Sequence, residues 1–164
     1  MASSDITKTS MWKRISGEYI PDLEETLLRD ISRTDTNDLK FYVGADSQIS
    51  NGRTRYTVVL VVRKANKGAQ GYYSSTATEL HCSRNQRLFQ ETYMAVELAI
   101  RINPLLEQIG FKIDEVHSDL SPHPKNLSNQ VVQTCLGYIQ GFGFKGKIKP
   151  ESWASYCVAD LKTK

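Results

Sequence analysis

A chain of 164 residues is long enough for one domain with a sizeable core and too short for two comfortable ones. With 40% hydrophobic and 24% charged residues it has the make-up of an ordinary folded protein, which excludes wholesale disorder, and its longest apolar run, Val58 to Val62, is far too short to cross a bilayer. A net charge of +3 selects neither nucleic acid nor membrane as a partner by itself. The N-terminal stretch lacks the apolar segment of a signal peptide, so a cytoplasmic location and no membrane partner are expected. Cys82, Cys135 and Cys157 show no CxxC spacing and read as reduced, packed thiols.

Along the chain, "DLEETLLRDI" sets Leu23, Leu27 and Ile31 at helical spacing, which predicts a short helix within an N-terminal appendage over residues 1–38. The main domain is expected over residues 39–164. Leu39 to Asp46 alternates as a first strand, and "SNGR" supplies a hairpin turn into "RTRYTVVLVVRK", a second strand apolar on both faces. The third strand, "GYYSSTATEL", carries serines and threonines that suggest an edge, where its tyrosines could pair with a second copy as a homodimer.

The longest helical pattern follows, capped at Ser83 or Asn85 and expected to close before Pro104. "FKIDEVHSDLSP" reads as a fourth strand ending near Asp119, "NLSNQVVQTCLGYIQGFG" as a helix, "FKGKIKP" as a fifth strand, and "ESWASYCVADL" as a last helix with Pro150 in its first turn. Hairpins make the first three strands antiparallel, and helical crossovers add the others beside the first. The predicted class is α/β, a mixed five-stranded sheet flanked by helices in the order βββαβαβα.

Four acids stand in places that need a reason. Asp46 ends the first strand on the face of Tyr42 and Gly44, either to start a turn or to serve a site. Glu91 falls on the packing stripe of Leu88, Ala95, Leu98 and Ile102, where a carboxylate needs a cation or an arginine; Glu97 instead stands four residues before Arg101 as a surface pair. Asp119 ends the fourth strand, at the end of a sheet where open α/β proteins place their sites, although turns there also carry Asp. Asp160 shares a stripe with Trp153, Tyr156 and Cys157. Acids converging from these elements would repel one another unless they shared Mg²⁺ or Mn²⁺, and two such ions can hold the attacking and leaving oxygens of a phosphodiester in line.

The motifs "YVGADSQ", "ETYMAVELA" and "PESWASYCVAD", in this element order, resemble the YkuK-like family of the ribonuclease H-like superfamily over roughly Leu39 to Leu161. The resemblance implies a ribonuclease H-like fold and a two-metal nuclease whose metal ligands and catalytic acids are Asp46, Glu91, Asp119 and Asp160, with Asp114 as a substitute should Asp160 fail. Its substrate would be RNA, an RNA/DNA hybrid or structured DNA. Ser47 and Gln48, beside Asp46, could touch the substrate backbone, and His123 in "SPHPK" could shuttle a proton; turn and loop roles stand as the alternatives. A module that keeps the fold and binds nucleic acid or protein without turnover is the competing function. A nucleotide-binding ATPase is disfavoured by the lack of a GxxxxGK[ST] loop.

Overall fold

The computed structural model describes residues 11–35, 37–79, 81–120 and 129–155. Its elements in chain order are β1 (Trp12–Arg14), β2 (Tyr19–Ile20), α1 (Leu23–Ser32), β3 (Leu39–Ser50), β4 (Arg53–Lys64), β5 (Gly68–Thr78), α2 (Arg84–Glu107), β6 (Glu115–His117), α3 (Asn129–Gly141) and β7 (Gly146–Lys147). A further helical turn begins at Trp153. None of the described helices is long and apolar enough to cross a membrane.

The sheet has seven strands in the order β2-β1-β5-β4-β3-β6-β7, which corrects the expected five. The predicted strands are all present as β3 to β7; the two additions come from residues 12–20. Such short strands carry almost no periodicity of their own, and they form because β1 finds a template in β5, with Trp12 opposite Ser74 and Arg14 opposite Tyr72. The pairing also corrects the placement of β5, which is flanked by β4 and β1 and is not a bare edge. Its serines are accounted for internally. Ser74 Oγ donates to the Met11 carbonyl (2.8 Å), and Ser75 shares a hydrogen bond with Thr57 (2.7 Å).

β3 and β4 pair from Leu39 and Lys64 down to Ser50 and Arg53, closed by Asn51 and Gly52. Both turn residues have positive φ (52° and 74°), the conformation of a two-residue hairpin turn whose twist matches the strands. Alternation then divides the sheet. Phe41, Val43, Ala45, Val58, Leu60 and Val62 face α2 and join Leu98, Ala99 and Ile102 in the main core. Val59 and Val61 face the other way, under Tyr42, Tyr73 and Trp153.

The N-terminal segment enters that same core through Trp12, Ile20, Leu23 and Leu27. It is tied there by Asp30 of α1, which accepts from Arg14 (2.6 and 3.1 Å) and from the Tyr72 hydroxyl. Arg101 of α2, expected to serve Glu97, grips Glu24 of α1 with two nitrogens. Ser83 caps α2 in a reciprocal capping box with Gln86. The helix continues through Pro104 to Glu107, one turn beyond the predicted stop, because Leu106 on that last turn is fully buried and the packing outweighs the proline penalty.

Candidate active site

The site is built where β3 and β6 run parallel, with Gly44 in register with His117. Two residues further along each chain stand Asp46 and Asp119, so parallel register puts both acids on the same end and the same face. That face is also where the last helical turn docks. A Cβ on Gly44 would lie 3.0 Å from the Ser155 nitrogen and 3.1 Å from the Ala154 carbonyl carbon, so glycine here is what lets the turn approach the strand.

His117 is the clamp for that approach. Its Nδ1 accepts from the Ala154 N–H (3.0 Å), which leaves Nε2 as the donor to Glu115 (2.8 Å). Trp153 packs edge-on against it at 5.3 Å and Tyr42 lies tilted beside it at 5.4 Å between ring centroids. Burial holds the imidazole below its ordinary pKa, so it stays neutral and keeps accepting from the backbone.

Glu91 comes from the opposite side of the sheet. It is 4% exposed on α2, as its place on the helical stripe requires. Because residues alternate along β3, the side chain that faces α2 is Ser47, and its hydroxyl donates to Glu91 Oε1. Arg87, one turn before Glu91, donates to the same Ser47 oxygen (3.3 Å). Glu91 Oε2 is buried with no hydrogen-bond partner. Burial pushes the Glu91 carboxyl up to about 8; Ser47 opposes the shift, and the charges of Asp46 and Asp119 add to it.

Asp119 is half-buried, and burial raises its pKa while Lys149, 2.9 Å away, pulls it down. The charge of Asp46 acts on Asp119 as well as on Glu91, so the three carboxylates share one electrostatic neighbourhood. Among the described residues, no three His, Cys, Asp or Glu side chains stand close enough to grip an ion in this arrangement. Asp114 is committed elsewhere: it accepts from the Phe41 N–H (2.8 Å) and pairs with Lys40, at the opposite end of β3 from Asp46. Gln48 is exposed on β3. Asp160 and His123 lie outside the described residues.

The sequence profile described as Ribonuclease H-like matches residues 22–164, most of the chain. The chain belongs to the ribonuclease H-like family. It is also similar to YkuK, an uncharacterized protein of Bacillus subtilis (strain 168), with 27% identity over 157 residues, 87% of this chain and 90% of that one. In this ribonuclease H-like chain the residues that sequence reasoning missed are the basic ones: Arg84 and Arg87 at the start of α2, and Lys149 after β7. Arg84 and Arg87 stand in "SRNQR" and Lys149 in "KGKIK", short basic runs with no spacing that ties them to an acid. Only the pairing of β6 with β7 and the docking of α2 bring them to the acids.

Proposed function

We propose that this protein is a divalent-metal-dependent nuclease that hydrolyses phosphodiester bonds. The observation that carries the reading is the buried Glu91 carboxylate, with one orphaned oxygen, in the same electrostatic neighbourhood as Asp46 and Asp119 at the end of the parallel strand pair. Burial keeps that carboxyl protonated up to about pH 8, and a hard cation is a partner that would stabilise the ionised form in the proton's place. By chemistry the donors suit Mg²⁺ or Mn²⁺, being carboxylates with the hydroxyl of Ser47 beside Glu91; they are not gathered around one point, and binding would have to draw them together. Asp46, Glu91 and Asp119 would hold the ion, with Asp160 as the fourth acid that the resemblance supplies.

When bound, the ion would supply a nucleophilic water at neutral pH and charge stabilisation for the phosphorane-like transition state. The chain's own groups do the rest. Ser47 and Arg87 orient Glu91, while Arg84 and Lys149 place positive charge where a phosphate backbone would lie. The substrate class is the one the resemblance implies: RNA, an RNA/DNA hybrid or structured DNA, all of which carry the phosphate backbone these cations would meet. A second reading, a binding module that keeps the fold without turnover, is favoured by the Asp119–Lys149 ion pair, which satisfies one acid without any metal.

A labelled panel of RNA, RNA/DNA hybrid, single-stranded DNA, duplex DNA and a four-way junction, incubated with Mg²⁺ or Mn²⁺, separates the two. Cleavage of one member that falls at least about a hundredfold in Asp46→Asn and Glu91→Gln is expected. No cleavage, with nucleic-acid binding equal in wild type and Asp46→Asn, would establish the module instead.

A further inference from the structure

Beyond Asp46 the β3–β4 hairpin runs on to its turn, and its two faces differ. Thr54 and Tyr56 share the α2 side with Val58 and are buried. On the other side Gln48, Ser50, Arg53 and Arg55 are exposed. Register carries that open face onto β5, with Gln48 opposite Arg55 and Arg55 opposite Ala77. The row before it sets Asp46 opposite Thr57 and Thr57 opposite Ser75. Asp46 therefore stands at the inner end of an open strip that runs about 13 Å outward to Ser50 at the rise of an antiparallel strand.

The charge on this strip is not answered from within the fold. Elsewhere the cations find acids: Arg14 pairs with Asp30, Lys67 with Asp35 and Arg101 with Glu24. Arg53 and Arg55 pair with no acid among the described residues, and Glu79, one residue past the end of β5, bonds neither of them. Guarding a sheet edge does not account for Arg55, because β4 lies between β3 and β5 and Arg55 has a strand partner on each side. Its neighbour Ala77 is short and exposed, which leaves the guanidinium room above the sheet. Two arginines two residues apart on one strand face stand about 7 Å from each other, and each carries a planar fork of donors that matches phosphate oxygens.

We infer that this open hairpin face holds a nucleic-acid strand by its phosphates, Arg53 and Arg55 meeting successive phosphates of the strand that leads to Asp46. Such contacts fix the position of a strand and read no bases, so the grip is independent of sequence. The inference rests on nucleic acid as the partner proposed above, and not on turnover.

The experiment is fluorescence anisotropy of labelled single-stranded RNA and DNA with the full chain, in chelator so that nothing is cut, at salt from about 50 to 200 mM. The variants are the doubles Arg53→Gln/Arg55→Gln and Arg53→Lys/Arg55→Lys, with Lys67→Gln/Lys112→Gln removing the same two charges at the opposite end of the sheet. All six positions are exposed, so circular dichroism should show every variant folded. The glutamine double at the hairpin should bind about tenfold more weakly at low salt and flatten the slope of log affinity against log salt by about 1.4, two phosphates at about 0.7 each for a single strand. The lysine double should stay within about threefold of wild type, and the distant double within about twofold. Equal affinity and slope in wild type and the hairpin glutamine double, or equal losses in the hairpin and distant doubles, would overturn the inference and leave the nuclease reading standing. Binding that depends on the hairpin, with no cleavage of any substrate once Mg²⁺ or Mn²⁺ is added, would uphold the inference and remove the nuclease. No binding by wild type would overturn the inference together with nucleic acid as the partner.

Discussion

Burial of Glu91 beside Asp46 and Asp119 raises its carboxyl to about 8, against an ordinary value of 4.5. Between those two values the folded protein therefore holds a proton that the unfolded chain has released. The folded state binds more protons, so stability falls as pH rises from about 4.5 towards 8 and is level beyond it. At neutral pH the penalty is about 3 kcal/mol. Glu91→Gln removes it while keeping an oxygen for the Ser47 hydroxyl. The variant should melt roughly 5 to 10 °C higher than wild type at pH 7.5 and show little gain at pH 4.5. Thermal melts at the two pH values check this; an equal gain at both would mean that ionisation of Glu91 is not the cause. The helical stripe alone identified Glu91 as a misplaced acid. That its first partner is Ser47, and not an arginine or a neighbouring carboxylate, was legible nowhere in the sequence, because two elements far apart in the chain must dock before the contact exists.

At the scale of elements, the last helical turn is held on β3 by a missing side chain and by one imidazole. Gly44 offers no Cβ where Ser155 and Ala154 pass, and His117 accepts the Ala154 N–H from the next strand. Gly44→Ala should cost about 1–3 kcal/mol, because the nearest atoms are backbone and cannot rotate away. Urea unfolding checks the cost, and a change under about 0.5 kcal/mol would show that the turn shifts freely. Gly71 makes the useful contrast. A Cβ there would meet the partly exposed Ile15 side chain, which has other rotamers to adopt, so Gly71→Ala should be the milder of the two. The glycine in "YVGADSQ" was visible in the sequence as room beside Asp46, but what fills that room is tertiary. The same scale explains Pro104. Local chemistry ends the helix there, and burial of Leu106 carries it one turn further.

Over the whole molecule, the N-terminal strands and α1 share one core with the sheet. Trp12 is 3% exposed between Ile20 and Ser74. Trp12→Ala should therefore lower global stability by about 3–5 kcal/mol in guanidinium unfolding, with a single cooperative transition retained. A loss below about 1 kcal/mol would mean that residues 12–20 fray independently of the rest. The Asp30 network with Arg14 and Tyr72 couples β1, α1 and β5 to the same end.

By itself the sequence determined the local pattern: strands where side chains alternate, the turn at Asn51 and Gly52, the cap at Ser83, and an acid on a packing stripe at Glu91. Each follows from period or from the conformational range of one residue, and neither depends on distant partners. The tertiary structure decided the rest. It paired β1 with β5, put Ser47 and not Asp46 against Glu91, and slid Lys149 beside Asp119 through the β6–β7 register. Those outcomes depend on which elements meet and on which face, a choice made by burial of the whole core and carried by no short stretch of chain.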